Sequence, residues 1–330
     1  MELQNLKTIE DLYRADKEAN MKIDILLSTY NGEKFIKEQL DSLLGQTFQD
    51  WCLLVRDDGS SDATIKIVSE YLNKYPEKIL FIDDKEKHLG ACQSFAKLLE
   101  HSTGEYIMFC DQDDVWLENK VELTLEKMLD MEKQKPDKPI LVHTDLKIAD
   151  QNLNIISESM WRYQKLNPNR NRLNYLLVQN NVTGCTTMMN RKLKEAVDQI
   201  PQEAIIHDWW IALIASVFGA IGYVNQSTIL YRQHGNNDIG AKKYSIKYLL
   251  HRFLNRKYAK EMFQKVSLQA NSLLEVHSEK MDEEQRKILR SFSSLGKQTR
   301  FSRLTSIIRY SFMKTGFLRN FGFIAIVLTL

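Results

Sequence analysis

Residues 104–116 read GEYIMFCDQDDVW, an apolar, strand-like run that ends in three carboxylates within four positions. Close carboxylates near a protein surface repel each other by about 1 kcal/mol or more per pair. A divalent cation removes that repulsion, and oxygen ligands of this kind suit Mn²⁺ or Mg²⁺. Alternate residues of an extended turn point the same way, so Asp111 and Asp113 are predicted to converge on one ion or on a ribose and an ion. The alternative is a solvated acidic turn in which Asp113 or Asp114 caps the next helix.

Short apolar runs alternate with amphipathic stretches from residue 22 to about residue 146. This alternation predicts repeated β-α units and therefore a parallel sheet. The predicted strands are 23–28, 51–56, 79–82, 106–110 and 140–144. Parallel sheets bind ligands at the carboxyl ends of their strands. Three polar clusters follow strands here, STYNG at 28–32, DDGSSD at 57–62 and DQDD at 111–114. We therefore expect one site at this edge of the sheet.

The two clusters nearer the N-terminus have groups that suit a pyrimidine base. A carboxylate of the DDGSSD cluster can accept a hydrogen bond from the N3–H of uracil or thymine, and Tyr30 can supply a flat face. A plain turn with a helix cap is the alternative, and it explains Gly59 and Ser60 but not the doubled aspartate. Asn31-Gly32 likewise fits an ordinary bend between a strand and a helix.

Two further clusters lie in the second half of the chain, HDWW at 207–210 and YRQH at 231–234. Asp208, at a predicted helix start, offers a carboxylate for a general base, and its neighbouring indoles can stack on sugar faces. The alternative is an aspartate cap followed by two core tryptophans. Arg232 and His234 can meet a diphosphate, or His234 can complete a metal shell.

The composition, with 43% hydrophobic and 27% charged residues, is that of an ordinary globular protein. No secretory signal pattern opens the chain, and no apolar run approaches the roughly 18 residues of a membrane-spanning helix. These features predict a cytoplasmic protein. The cysteines show no CxxC spacing, so we expect reduced core thiols at Cys52, Cys92, Cys110 and Cys185.

Charge and pattern divide the chain into a polar N-terminal extension (1–20), a main α/β domain (21–240) and a helical basic region (241–330). The last of these carries 18 Lys/Arg against 6 Asp/Glu, although the net charge of the chain is only +2. This balance predicts peripheral contact with an anionic surface such as a membrane leaflet or a lipid-linked phosphate. A solvated appendage or a homodimer contact is the alternative, and nucleic-acid binding is not expected because no recognised motif accompanies the charge. The surface helix is predicted from Lys242, Lys243, Lys247, Arg252, Arg256 and Lys257, interleaved with Leu249, Leu250, Phe253 and Leu254.

In their order, these motifs resemble family 2 glycosyltransferases over about Ile23 to Asn237. The motifs that carry the resemblance are ILLSTYNG, QTFQDW, VRDDGSSD, GEYIMFCDQDDVW, NVTGCTTMMNR, HDWW and YRQHGNN. Within that family the set is most similar to bacterial rhamnosyltransferases of cell-wall or capsular polysaccharide synthesis. The resemblance implies a GT-A fold, which is Rossmann-like, with a mostly parallel central sheet and helices on both faces.

The resemblance also implies roles for individual positions. Thr29, Tyr30 and Asp58 correspond to the base pocket, Asp111 to the carboxylate near the ribose, and Asp113 to the carboxylate that meets the donor diphosphate through the metal. Asp208 corresponds to the catalytic base. The predicted donor-binding residues are Thr29, Tyr30, Asn31, Asp58, Gly90, Asp111, Gln112, Asp113 and Arg232. The predicted metal ligands are Asp111, Asp113 and His234, and the predicted acceptor-binding residues are Gly184, His207, Trp209 and Trp210.

The implied reaction is an inverting transfer of L-rhamnose from dTDP-β-L-rhamnose to a lipid-linked or polysaccharide acceptor, with Mn²⁺ or Mg²⁺ as cofactor. A relative that uses UDP-galactose, UDP-glucose or UDP-N-acetylglucosamine is the alternative. One departure is that His207 precedes the base where many relatives have glutamate. The resemblance therefore implies a retained base in a differently tuned acceptor pocket. A non-catalytic nucleotide-sugar-binding protein is less favoured, because such a protein needs no base and this chain has Asp208 as well as Asp111 and Asp113. A nucleotidyltransferase would usually need a glycine-rich phosphate loop, and STYNG has one glycine.

Overall fold

The computed structural model describes residues 23–235, 240–241, 243–244 and 256–330. The predicted N-terminal extension lies outside the described residues. So does most of the predicted surface helix, namely Lys242, Lys247, Leu249, Leu250, Arg252, Phe253 and Leu254.

The described residues form a nine-stranded sheet in the order β3-β2-β1-β4-β8-β6-β9-β5, with β7 paired to β6. The strands are β1 (Ile23–Thr29), β2 (Trp51–Asp57), β3 (Ile79–Phe81), β4 (Tyr106–Cys110), β5 (Val115–Trp116), β6 (Ile140–Ala149), β7 (Ile155–Ser157), β8 (Thr187–Asn190) and β9 (Ala220–Arg232). The helices are α1 (Ile36–Leu44), α2 (Thr64–Lys74), α3 (Gly90–His101), α4 (Lys120–Gln134), α5 (Met160–Gln164), α6 (Leu173–Leu176), α7 (Arg191–Val197), α8 (His207–Phe218), α9 (Arg256–His277), α10 (Glu283–Ser293), α11 (Arg300–Arg309) and α12 (Phe317–Leu328).

The sheet is parallel in its first half and mixed in its second. Strands β3, β2, β1 and β4 pair in parallel, and helices connect them in sequence. Strand β8 then pairs antiparallel with both β4 and β6, while β6 and β9 are parallel again. The predicted α/β architecture is confirmed, and the sheet is mixed, with parallel pairs among β1 to β4 and between β6 and β9 and antiparallel pairs elsewhere. The connection from β6 returns to β8 at the same end of the sheet, so the two strands must run in opposite directions.

Both faces of the sheet are covered, because alternate strand residues point to opposite sides. Ile25 and Leu27 belong to one apolar core, which α1 and α4 cover. Leu26 belongs to the other, which α3, α7 and α8 cover. Helix α8 lies deep in this second core, and its Trp210 is completely buried. Alternation in the central strands thus demands helices on both faces.

The predicted helical C-terminal region is present, and it closes the second core. Phe263, Leu273 and Leu289 from α9 and α10 are buried in the same cluster as α8. Hydrogen bonds reinforce the contact, since the Ile205 N–H donates to the Gln269 side chain at 2.9 Å. Helices α9 to α12 therefore pack as part of the core that supports α8.

The cysteines are free, and Cys52, Cys110 and Cys185 are buried. In the part of the chain that the structure describes, no helix combines the length and apolar character needed to cross a bilayer.

Gly219 lies at the sharp turn from α8 to β9. Its α-carbon packs against the backbone of Pro139, just before β6. A Cβ at this position would lie 1.8 Å from the Pro139 carbonyl oxygen, which is backbone and cannot move aside as a side chain can. We predict that Gly219→Ala lowers the free energy of unfolding by about 1–3 kcal/mol or more, as overpacking does. Urea unfolding followed by circular dichroism measures this change. Gly296→Ala is the matched control, because nothing lies within 4 Å of its Cβ position. Equal stability of both variants would contradict the prediction.

Candidate active site

The loops that follow β1, β2 and β4 meet at one edge of the sheet. The Thr29 hydroxyl, at the end of β1, donates to the Asp57 carboxylate at 2.8 Å. Gln112 joins the first and third loops, since its side-chain amide donates to the Tyr30 carbonyl and accepts from the Tyr30 N–H, both at 2.9 Å. The three clusters thus form one connected surface.

Tyr30 and Asn31 of the STYNG loop lie in different surroundings. The Tyr30 ring is half-exposed and lies edge-on to His88, with 5.9 Å between ring centroids. Asn31 has a left-handed backbone with φ of 48°. Its N–H donates to the Ser60 hydroxyl and its side-chain oxygen accepts from the Ser61 N–H, both at 2.8 Å. The Tyr30 ring is therefore accessible at this edge of the sheet, whereas Asn31 holds two loops together.

The two aspartates at the end of β2 bind different partners. Asp57 accepts from the backbone of its own turn. The buried Asp58 carboxylate accepts from Arg56 and from the Leu89 and Gly90 N–H groups, at 2.8–2.9 Å. With about four acceptor sites on a carboxylate, these three bonds leave one for a ligand. Asp58 thus fixes the start of α3, where Gly90 adopts a φ of 76° with open space around it.

The acidic turn after β4 splits its carboxylates between two groupings. The Asp113 carboxylate lies 2.7 Å from Nε2 of His234, whose ring packs on Phe35 at 4.8 Å. Asp111 instead lies with Asp114 and Cys185, and their ligand atoms fall within 4.8 Å of one another. Asp114 is fully buried. Burial, followed by the charges of Asp113 and Asp111, raises the pKa of Asp114 well above its usual range.

The donor atoms of this turn fit a hard divalent cation. The carboxylates of Asp111 and Asp113 are partly exposed oxygen ligands, which suit Mn²⁺ or Mg²⁺. Cys185 is a poor partner for such an ion, since burial raises the pKa of its thiol well above the usual range and thiolate is a soft ligand. His234 reaches Asp113 directly, so it can act as a metal ligand or orient that carboxylate.

Arg232 differs from its predicted role as a donor-binding residue. Its side chain is buried, and its Nε donates to the Asp113 carbonyl at 2.8 Å. Nη1 donates to the Gln151 carbonyl at 2.7 Å, and Nη2 pairs with Glu38. A buried guanidinium must be satisfied by such partners. Arg232 therefore holds the backbone of the acidic turn from behind, and its charge does not face a diphosphate.

Asp208 occupies the first turn of α8 and is 7% exposed. One carboxylate oxygen accepts from the Asn180 side chain at 2.9 Å, and the other from the Gly184 N–H at 2.7 Å. Burial raises the pKa of Asp208 to about 7, and the hydrogen bonds from Gly184 and Asn180 oppose that rise. A carboxylate with such a pKa is suited to take up a proton near neutral pH.

Residues 184 and 185 connect this carboxylate to the acidic turn. The Gly184 N–H binds Asp208, and the adjacent Cys185 thiol lies beside Asp111 and Asp114. Gly184 is required here, because a Cβ would lie 2.7 Å from Nε2 of His207. Two consecutive residues thus fix Asp208 next to the acidic turn.

The aromatic cluster around Asp208 corrects two predicted acceptor-binding residues. Trp210 is completely buried in the core, so it cannot stack on a sugar. His207 is 3% exposed and packs between Phe95 and Phe109, with centroid distances of 4.3 and 4.9 Å. Burial lowers its pKa to about 3 and keeps the ring neutral. Trp209 is partly exposed and donates to the Leu176 carbonyl, so it remains a candidate for acceptor contact.

Several residues of the site carry no clear signal in the sequence. Asn180, which binds Asp208, stands in an unremarkable polar stretch. Arg56 looks like an exposed basic residue, yet it is fully buried and bridges Asp58 and Asp84. Lys120 is also fully buried, with its ammonium over the Trp116 ring at 4.3 Å, and burial lowers its pKa to about 8. Asn180 and Arg56 are defined by partners 28 residues away, Asp208 and Asp84, and Lys120 by burial, so no local pattern encodes these positions.

Comparison with solved structures supports the fold. The chain superposes on S. aureus TarS 1-349 in complex with UDP-GlcNAc with a TM-score of 0.52 and 18% identity, covering 93% of this chain and 90% of that 1-349 chain. It also superposes on mannosyltransferase PcManGT from Pyrobaculum calidifontis, in complex with GDP-Man and Mn²⁺, with a TM-score of 0.52 and 15% identity, covering 87% and 73% of the two chains. The predicted GT-A fold is therefore confirmed.

Sequence comparison identifies the family. The chain is 26% identical over 226 residues to the dTDP-rhamnosyl transferase RfbG of Shigella flexneri, which covers 65% of this chain and 74% of RfbG. The profile described as glycosyl transferase family 2 matches residues 24–197, the segment that contains β1 to β4, the acidic turn and Gly184. With its fold, its acidic turn and this match taken together, the chain belongs to glycosyl transferase family 2 and is a glycosyltransferase.

Proposed function

We propose that this chain transfers a sugar from a nucleotide diphosphate donor to a polysaccharide acceptor with inversion of the anomeric centre, and that Asp208 is the base. The observation that carries the proposal is the bridge through Gly184 and Cys185, which fixes Asp208 beside the acidic turn. An inverting transfer needs these two functions next to each other, because the proton leaves the acceptor on one side of the sugar while the diphosphate leaves on the other.

The residues divide the work of the reaction. Asp208 takes the proton of the acceptor hydroxyl as the new bond forms, and its raised pKa matches that task near pH 7. Asp111 and Asp113 would hold the divalent cation, with His234 as a further ligand or as the group that orients Asp113. A cation bound there would neutralise negative charge on the leaving diphosphate. Tyr30 and Asp58 would bind the base of the donor, with Thr29, Asn31 and Gln112 supporting the loops.

The donor is proposed to be dTDP-β-L-rhamnose, which would give an α-L-rhamnoside. The order of motifs and the similarity to RfbG, a dTDP-rhamnosyl transferase, support this choice. A UDP-sugar is the second candidate, since the structurally similar TarS was solved with UDP-GlcNAc. We propose a lipid-linked acceptor of cell-wall or capsular polysaccharide synthesis, used at the cytoplasmic face of the membrane.

Replacement of the base tests the catalytic assignment. We predict that Asp208→Asn lowers the transfer rate by about 10²–10⁴-fold, which is the usual contribution of a general base. Nucleotide binding, measured by calorimetry, should remain nearly unchanged because Asp208 contacts the acceptor side. Asp198→Asn is the matched control, since Asp198 is exposed and caps the end of α7, outside the site. Full transfer activity of Asp208→Asn would refute the base assignment.

The pH dependence of transfer provides a second test. Because only deprotonated Asp208 accepts a proton, kcat/KM should rise about tenfold per pH unit up to a pH of about 7 and then level off. Asn180→Ala removes a hydrogen bond to the charged form, so it should move this rise to higher pH. Asn174→Ala, whose side chain binds the Tyr310 carbonyl instead, is the control. An unshifted profile for Asn180→Ala would contradict the role given to this contact.

Donor and metal requirements are tested together. We predict that a chelator reduces transfer by about a hundredfold or more, since charge stabilisation by a metal is worth several kcal/mol, and that Mn²⁺ or Mg²⁺ restores it. Transfer by Asp113→Asn should not be restored by either metal.

A panel of dTDP-rhamnose, UDP-galactose, UDP-glucose and UDP-N-acetylglucosamine with a lipid-linked acceptor then identifies the donor. Turnover of a UDP-sugar with none of dTDP-rhamnose would exclude rhamnose and leave the base and metal assignments intact.

A further inference from the structure

Two C-terminal helices present large apolar side chains to solvent. On α11, Phe301 and Ile308 are 79% and 63% exposed, and Leu304 lies between them on the same face of the helix. On α12, Phe317 and Phe321 are 82% and 64% exposed. Exposed apolar side chains of this size, on two helices that contact each other, mark an interaction site rather than ordinary scatter. We call the exposed side chains of Phe301, Leu304, Ile308, Phe317, Leu318 and Phe321 the apolar face.

The apolar face belongs to two helices that are packed together. The opposite sides of these helices are buried through Ile307, Phe323 and Val327. Arg303 locks the pair, because its Nη1 donates to the Val327 carbonyl at 2.9 Å and its Nη2 to the Gly296 carbonyl at 3.0 Å. The apolar face is therefore a preformed surface on well-packed helices.

The segment that carries the apolar face has charges of a single sign. Residues 285–330 contain nine Lys/Arg and no Asp/Glu. Arg300 and Arg309, both exposed, stand at the two ends of α11 and, at 100° per residue, flank its apolar side chains on either edge. Long basic side chains beside an apolar stripe are the arrangement in which a helix lies in the interface of an anionic membrane.

The positive charge of this segment and its apolar side chains argue against a second copy of the chain, or nucleic acid, as the partner of the apolar face. Two copies of this chain that met through the apolar face would bring Arg300 and Arg309 of both copies together, and residues 300–321 contain no Asp/Glu to pair with them. Nucleic acid would satisfy the charge but would leave Leu304, Ile308 and Leu318 without partners. An anionic lipid leaflet satisfies both, since the headgroups pair with arginines and the acyl boundary receives the apolar side chains.

The segment between the two helices is also tied to the acceptor side of the site. The Thr315 N–H donates to the Gln179 side chain at 2.8 Å, and Gln179 is adjacent to Asn180, which binds Asp208. Arg319 of α12 donates to the Lys165 carbonyl at 2.9 Å. The apolar face is thus held in a fixed position relative to the region around the base.

We infer that the apolar face of α11 and α12 is a docking surface for an anionic membrane leaflet, where aromatic and aliphatic side chains insert and the flanking arginines pair with lipid headgroups. This inference does not depend on the donor sugar or on the identity of the base. It places membrane contact on residues 300–321, C-terminal to the segment that the sequence pattern favoured.

Vesicle co-sedimentation of the full chain tests the inference. Vesicles of phosphatidylcholine alone are compared with vesicles that also contain phosphatidylglycerol. We expect the wild type to partition onto the anionic vesicles, and Phe317→Ser with Phe321→Ser to weaken this partitioning by about tenfold or more. Arg300→Gln with Arg309→Gln should weaken it by about thirtyfold on anionic vesicles, given the usual contribution of a basic residue near such a surface.

Leu129→Ser with Ile156→Ser is the matched control, because these exposed apolar residues lie on α4 and β7, outside the apolar face. The control should partition as the wild type does. Circular dichroism and calorimetric nucleotide binding verify that each variant is folded, so a folding defect is separated from lost docking. Equal partitioning of all variants, or none by the wild type, would overturn the inference. So would a wild-type dimer in light scattering that the phenylalanine variant dissociates, or binding to duplex DNA in preference to vesicles.

Discussion

Repulsion among the carboxylates at 111–114 is the constraint around which the site is built. Asp114 is fully buried within this turn, and its raised pKa reflects both that burial and the charges of Asp113 and Asp111. Arg232 stabilises this turn from the protein interior. Its backbone N–H donates to the Asp114 carboxylate, and its guanidinium donates to the Asp113 carbonyl. Arg232 therefore holds the crowded turn through one backbone and one side-chain hydrogen bond, while the Asp113 carboxylate contacts His234.

Asp208, the proposed base, is a second carboxylate whose burial affects both stability and function. The pKa of Asp208 is about 7 in the folded protein and 3.8 in a model compound. Between these values the folded state binds more protons than the unfolded state, so the contribution of Asp208 to the free energy of unfolding falls as pH rises from about 4 to 7. Burial that makes Asp208 a stronger base thus destabilises its ionised form. The hydrogen bonds from Asn180 and Gly184 recover part of that cost.

Sequence patterns predicted the features that depend on local order. Alternating apolar and amphipathic stretches indicated β1 to β4 with their helices, and the strand-end rule brought STYNG, DDGSSD and DQDD to one edge. The patterns were weaker where a role depends on what lies across the sheet. Trp210 and Trp209 are adjacent and chemically alike, yet the rotation of α8 buries only the first completely. Arg232 looked suited to a diphosphate, but Glu38 and Gln151, which are distant in sequence, hold it inside the protein.

The shared core of α8 with α9 and α10 has a consequence for biosynthesis. Phe263, Leu273 and Leu289 cover the side of α8 that carries Trp210, and the Gln285 side chain donates to the Val217 carbonyl at its end. During translation, the sheet emerges before the helices that close this face. Until residues 256–295 have left the ribosome, the nascent chain exposes a broad apolar surface on the helix that carries Asp208. Completion of the active site is thus delayed until late in synthesis, and chaperones that bind apolar surface would act on this chain in that interval.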